Sequence, residues 1–267
     1  MESIAELNDR RAVSRSVRIS AVLPAYNEEA VIEQSVLETE KVLKELADDF
    51  EIIVTDDGSE DGTARVLANL QQRRPDLPLR VVTHRVNQGY GAALASGFDA
   101  ARHDLVFFTD SDRQFDVREL SLLLPEIGDQ ADLVIGWRKK RADSPMRLLN
   151  AWGWRLLVNG LFGYTARDVD CAFKLFRREV WQSLTVGARG ATFSAEFLVK
   201  ARRLGFKVRE VPVSHYPRPA GRATGARLSV ITRAFLEIFR LWRNLDHQLA
   251  SDPRRREQIQ RRPSHVH

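Results

Sequence analysis

A chain of 267 residues that is 43% hydrophobic and 29% charged can bury a sizeable core, which excludes disordered and fibrous classes. Its net charge of +5 favours anionic partners, and its single cysteine, Cys171, excludes an intrachain disulfide and suits a reducing compartment. No apolar run approaches the roughly 18 residues of a membrane span, and the first ten residues lack the basic start and apolar core of a secretory signal, so the expected location is cytoplasmic, soluble or peripheral at the inner face of a membrane.

Residues 1–16 are polar and predict a frayed N-terminus. Apolar runs at 17–24, 51–55, 79–83, 104–109 and 132–136 then predict strands, separated by helical spacing at 28–46, 62–73, 89–101 and 116–126. This alternation implies an α/β fold with a mostly parallel sheet and right-handed crossovers. Beyond residue 137 the pattern changes. Ser144-Pro145 marks a helix start and leads into an apolar-rich helix to Phe162. Cys171–Phe176 predicts a strand, 193–204 a helix, Lys207–Val213 a strand, and the Pro-, Gly- and Arg-rich stretch 214–225 a loop. Residues 226–245 place Leu228, Ile231, Phe235, Ile238, Trp242 and Leu245 on one helical stripe with arginines opposite, an amphipathic helix in a segment taken to reach residue 250. Such stripes suit a core, a homodimer seam or a membrane surface. The basic tail from Ser251 is expected to be disordered.

Three of the strands end in acidic or small polar residues: Val22-Leu-Pro-Ala-Tyr-Asn-Glu-Glu29, Val54-Thr-Asp-Asp-Gly-Ser59 and Phe107-Phe-Thr-Asp-Ser-Asp112. Open α/β sheets bind ligands beyond the carboxyl ends of their strands, so this edge is the candidate site for a nucleotide, a metal or both. Asp110 and Asp112 are hard oxygen ligands suited to Mg²⁺ or Mn²⁺, with Gln114 close by. Either carboxylate alone could instead cap the following helix. Asp57 could accept from a base N–H or a ribose, and Tyr26 could pack on a base. Asn87-Gln-Gly-Tyr-Gly91 opens a helix, where Gly89 and Gly91 would admit a phosphate or sugar, although a tight turn explains the same spacing. Basic and aromatic residues are interleaved too sparsely for a nucleic-acid reader.

Taken together and in order, these segments resemble glycosyltransferase family 2 and its GT-A fold, with the dolichyl- or polyprenyl-phosphate mannose synthase-like branch the nearest likeness, over residues 17–225. The resemblance implies an inverting transfer of mannose or glucose from a nucleotide sugar, GDP-mannose or a UDP-sugar, to a polyprenyl or dolichyl phosphate. It gives the donor to Pro24, Ala25, Tyr26, Glu28, Asp57, Asp110, Ser111 and Gln114, and the metal to Asp110, Asp112 and Gln114. Arg138, Arg147 and Arg218 match arginines that would hold the acceptor phosphate, a role suited to a guanidinium fork. Were the acceptor a soluble or glycan hydroxyl, Asp168 or Glu196 would be the base. A sugar nucleotidyltransferase would want a Gly-rich, basic loop after the first strand, where this chain has Pro-Ala-Tyr-Asn-Glu-Glu. Arg113 departs from the family in standing where glycine is expected, as does the absence of the transmembrane helices that many lipid-phosphate members carry.

Overall fold

The computed structural model describes residues 16–128, 130–139, 145–218 and 228–254, with the backbone alone at 145–149 and 228–233. Among these residues the strands are β1 (Arg18–Ala25), β2 (Asp49–Asp56), β3 (Leu79–Thr83), β4 (Leu105–Thr109), β5 (Leu133–Arg138), β6 (Phe173–Arg177) and β7 (Val208–Val213). They form one sheet in the order β3-β2-β1-β4-β6-β5-β7. The helices are α1 (Ile32–Leu46), α2 (Thr63–Arg73), α3 (Tyr90–Ala100), α4 (Leu120–Leu123), α5 (Pro145–Phe162), α6 (Arg178–Gln182), α7 (Phe193–Arg203) and α8 (Leu228–Ser251).

β1 is buried from Ile19 onward, because a parallel strand covered by helices on both faces has no solvent side. It pairs in parallel with β2 and β4. The chain order runs one way through β2 and β3 and the other way from β4, so strand order reverses beside β1. In α/β sheets that reversal opens the ligand crevice, and here it lies between the ends of β1 and β4.

β6 is the exception to the parallel arrangement. It runs antiparallel to both β4 and β5, pairing Thr109 with Phe173 and Leu133 with Phe176. Its beginning, rather than its end, therefore lies at the carboxyl edge, and residues 168–172 arrive beside the end of β4.

Three expectations are corrected. The helix predicted over 116–126 is a short α4 between 3₁₀ turns, because Pro125 has no N–H to continue an α-helical ladder. The five-residue α6 was not anticipated. The disordered tail expected from Ser251 is ordered at least to Arg254. Buried Asp252 accepts from Thr185 N–H at 2.7 Å and Thr185 Oγ1 at 3.0 Å, while Arg254 reaches Asp99 at 2.8 Å. The rest of that tail, residues 255–267, lies outside the described residues, as do residues 1–15 and 219–227. α8 buries Ile238, Leu241, Leu245 and Leu249 and leaves Phe235, Leu236, Phe239 and Trp242 exposed, so part of its apolar surface is core and part is not. No helix among the described residues is long and apolar enough to cross a membrane.

Candidate functional site

The turn after β1 is laced to the start of α2. Asn27 takes the left-handed conformation (φ 58°), which asparagine tolerates, and its Oδ1 accepts from Glu60 N–H at 2.8 Å. Glu28 N–H donates to Thr63 Oγ1 at 2.9 Å, and Glu29 accepts from Gly62 N–H at 3.0 Å. The turn after β4 is tied to β1 by Ser111 Oγ, which donates to the Pro24 carbonyl at 2.7 Å. Arg113 also takes a left-handed conformation (φ 59°), held by a fork onto Glu38 at 3.1 and 2.6 Å. The arginine in a glycine's place is thus accommodated by an ion pair.

These two turns bring Glu28, Asp110 and Asp112 together. Asp112 accepts from Gln114 N–H at 3.0 Å through Oδ1 and from Arg218 at 2.7 Å through Oδ2. Arg218 also reaches Glu28 at 3.0 Å. The segment 214–218 is placed there by Tyr216 N–H, which donates to the Gln114 carbonyl at 2.8 Å, and by Ser214, whose N–H and Oγ both donate to Glu119 at 2.7 Å.

Asp110 accepts from the Tyr90 hydroxyl at 3.0 Å. Burial, then the charge of Asp112, pushes the Asp110 carboxyl up to about 7. Glu28 is raised first by burial, with Arg218 opposing and Asp112 adding. Burial and the Asp110 charge likewise push the Tyr90 phenol well up. A folded-state pKa above the unfolded value near 4 means that the folded chain binds more protons between about pH 4 and 7. The stability that Asp110 contributes is therefore present below pH 4 and lost as pH rises through 7. In chelator, Asp110→Asn is expected to melt above the parent at pH 8 and level with it near pH 4; equal melting at pH 8 would refute the assigned crowding.

Asp110 and Asp112 fit a divalent cation. Two hard carboxylates crowded enough to raise a pKa suit Mg²⁺ or Mn²⁺, which take one or two carboxylates and complete their shells with phosphate oxygens and water. Among the described residues no cluster of three or more His, Cys, Asp or Glu forms a larger cage.

On the far side of β4, Arg138 at the end of β5 makes a fork with Asp168, at 2.6 Å from Nε and 2.7 Å from Nη2, with side chains 9% and 11% exposed. Asp170, two residues on, accepts from Trp154 Nε1 at 3.2 Å. Asp170 is exposed to solvent at the cavity mouth, yet the protein crowded around it and then the Asp168 charge push its carboxyl up to about 6. A cavity of about 360 Å³ opens here, between the end of β5, α5 and the chain entering β6.

Several sequence expectations are relocated by this geometry. Pro24 and Ala25 are buried in the strand and contribute carbonyls, to Ser111 Oγ and Asp57 N–H respectively. Tyr26 is half-buried just beyond the strand end. Asp57 accepts from His84 Nδ1 at 2.6 Å, Gln88 N–H at 2.9 Å and Gly89 N–H at 2.8 Å, leaving about one of a carboxylate's four acceptor positions. Gly89 and Gly91 do not offer free N–H groups to a phosphate. The Gly89 N–H is spent on Asp57, and the Gly91 N–H donates to the Arg189 carbonyl at 2.8 Å. Gly89, at φ +103°, is glycine because a Cβ would lie 2.5 Å from that same carbonyl. Gly89→Ala is expected to lose roughly 1–3 kcal/mol, read as a lower urea midpoint with unchanged slope; an unmoved midpoint would contradict the close approach.

Ser111 points to β1, and the Gln114 side chain donates to the Tyr216 carbonyl at 3.0 Å, so neither side chain faces the acidic pair. Arg218 bonds to carboxylates, and the Arg147 side chain lies outside the described residues. Glu196 is locked elsewhere. Its oxygens accept from Gly187 N–H at 2.9 Å, Ala188 N–H at 2.8 Å and Lys200 at 2.6 Å, beside α8. Tyr90 and Asp170 were missed by sequence reasoning. The signal available for Asp170 was its spacing of two residues from Asp168.

The family model for glycosyl transferase family 2 matches residues 20–185. Glycosyltransferase AglD of Haloferax volcanii is 35% identical over 216 residues, covering 78% of this chain and 34% of that protein. The undecaprenyl-phosphate 4-deoxy-4-formamido-L-arabinose transferase of Pseudomonas aeruginosa is 30% identical over 222 residues, covering 81% and 63%. A dolichyl-phosphate beta-glucosyltransferase of Trichomonas vaginalis is 34% identical over 216 residues, covering 74% and 65%. The chain thus spans about one third to two thirds of the length of these relatives. Among solved structures, glucosyl-3-phosphoglycerate synthase from Mycobacterium tuberculosis, in complex with Mn²⁺, UDP and glucosyl-3-phosphoglycerate, superposes with a TM-score of 0.66 at 26% identity. That match covers 90% of this chain and 84% of the other. The fold is of the GT-A type.

Proposed function

This chain belongs to glycosyl transferase family 2, and on that footing we propose that it moves a hexose, mannose or glucose, from a nucleoside-diphosphate sugar to a polyprenyl or dolichyl phosphate with inversion. The observation that carries this choice of acceptor is the immobilisation of both expected bases. Asp168 is forked onto Arg138, and Glu196 is held by Lys200 and two backbone N–H groups. A hydroxyl acceptor needs a free base, whereas a phosphate brings its own anionic oxygen. Two of the relatives above carry polyprenyl-phosphate acceptors in their names, which supports the same reading. The UDP in the mycobacterial structure favours a UDP-sugar over GDP-mannose.

In the proposed step an acceptor phosphate oxygen bonds to the anomeric carbon. The bond from that carbon to the donor's diphosphate oxygen breaks, and its electron pair leaves with the nucleoside diphosphate. Asp110 and Asp112 would hold Mg²⁺ or Mn²⁺, which supplies Lewis-acid neutralisation of the leaving diphosphate when bound. Tyr26, Glu28 and the remaining acceptor position of Asp57 lie on the nucleotide side of the crevice. Arg218 counters the charge of Glu28 and Asp112, the same charge a divalent cation held by Asp110 and Asp112 would neutralise. Tyr90 orients Asp110, and Asp168 orients Arg138. We assign the catalytic unit to residues 17–225, with the helix of the 226–250 segment packed on it, working at the inner face of a membrane.

One observation favours a hydroxyl acceptor instead: Asp170, raised to about 6, is a carboxylate in the acceptor-side cavity that makes no ion pair among the described residues. Purified full chain with Mg²⁺ or Mn²⁺, a panel of GDP- and UDP-sugars and a short polyprenyl phosphate separates the two readings. Lipid-dependent release of nucleoside diphosphate with a glycosyl phospholipid product is expected. Release that ignores the lipid and follows a glycan hydroxyl would refute the preferred acceptor.

A further inference from the structure

Most arginines around the site are already matched. Arg113 is forked onto Glu38, Arg138 onto Asp168, and Arg218 onto Asp112 and Glu28. Arg155 and Arg167 are different. Among the described residues no carboxylate pairs with either guanidinium, and the contact from Arg167 to Glu210 is made by its backbone N–H at 2.8 Å. Both side chains line the same 360 Å³ cavity, Arg155 from the middle of α5 and Arg167 from the chain that enters β6.

The cavity has a built geometry. The Arg167 guanidinium sits 4.6 Å from the centroid of the Trp137 ring, a cation–π stack that fixes the plane and leaves its edge donors open. Trp152, Arg155 and Leu156 are spaced i, i+3, i+4, so they share one face of α5. Trp152 lines the cavity and is 53% exposed, and Leu156, one turn along the same helix face, is 49% exposed, so exposed apolar surface continues from the cavity's edge. Trp154 meets Phe235 of α8 edge to face at 6.2 Å, and Leu236, Phe239 and Trp242 extend the exposed apolar surface from there.

Arg155 and Arg167 share this cavity with Arg138, Asp168 and Asp170, and with Arg138 and Asp168 joined in their fork, the two remaining guanidiniums can both give charge-assisted hydrogen bonds to one dianionic group. We propose that Arg155 and Arg167 form the seat of the acceptor's phosphomonoester, with the rim of Trp152 and Leu156 receiving the apolar chain esterified to it. This rests on the phosphate-acceptor reading above and gives that role to residues other than Arg138, whose fork is already spent on Asp168. Arg155 and Arg167 then set acceptor specificity without touching the nucleotide.

The test uses the full chain and two acceptor probes titrated separately, a short polyprenyl phosphate and 3-phosphoglycerate. Tryptophan quenching and the acceptor KM are read beside UDP affinity by calorimetry. Arg155→Ala and Arg167→Ala are each expected to weaken the polyprenyl phosphate about 10- to 100-fold while UDP affinity stays at the parent value. Arg167→Lys, which keeps charge but loses the planar stack, should recover only part. Should Arg155→Ala lose UDP affinity as well, Arg155→Lys carries the same comparison with the side-chain stem retained. Trp152→Ala should weaken the lipid phosphate and leave 3-phosphoglycerate unmoved; equal affinity for the two probes would overturn the apolar rim. Unchanged lipid-phosphate affinity in both arginine variants would overturn the seat while transfer to phosphates still occurs in the parent. A parent that ignores every phosphomonoester and glycosylates a hydroxyl would instead overturn the reading beneath it.

Discussion

Asp112→Asn is expected to lower cation-dependent nucleotide release by two to three orders of magnitude, roughly 3–4 kcal/mol of transition-state stabilisation. The fold should survive, because asparagine keeps an oxygen that can accept from Gln114 N–H or Arg218. What it loses is the charge that makes the Asp110–Asp112 pair attractive to a divalent ion. Manganese binding, followed by electron paramagnetic resonance, should fall in parallel with turnover, and unchanged thermal melting would show that the loss is local. A variant that binds Mn²⁺ as the parent does would remove Asp112 from the cation site.

Asp168→Ala is expected to act mainly on stability. It strands the Arg138 guanidinium, whose side chain is only 9% exposed, without its hydrogen-bonded counter-charge. Breaking one half of such a pair costs about 3–5 kcal/mol, a fall in melting temperature of roughly 10 °C for a chain of this size. Replacing both partners with apolar residues of similar volume should recover much of that loss, because the main penalty is the uncompensated charge rather than the absent attraction. If Asp168→Ala melts with the parent, the fork is not a structural lock. Asp168 would then be available as a base, and the hydroxyl-acceptor reading would gain.

The strand ends were legible because their signal is local. Buried, mostly apolar residues run to Ala25 and Thr109, and acidic groups follow at Glu28 and Asp110; covered parallel strands leave that imprint whatever their neighbours. The helix at Pro145 and the amphipathic pattern after 226 were readable for the same reason. Gly89 and Gly91 misled because glycine marks close backbone approach without saying to what. Here the approaching group is the Arg189 carbonyl, about a hundred residues away in sequence. Glu196 misled in the same way, since nothing near it in the chain announces that Lys200 and the 187–188 backbone take its oxygens.

The sequence by itself determined an α/β sheet whose carboxyl edge gathers acidic groups, since burial on both faces writes itself into contiguous residues. Only the tertiary structure decided which of those groups have charge to spare. The antiparallel insertion of β6 delivers Asp168 and Asp170 to the rim, and the path of 214–218 lays Arg218 across Glu28, 190 residues earlier. The partner of a charged side chain is fixed by where the backbone returns through space, and a one-dimensional pattern carries no record of that distance.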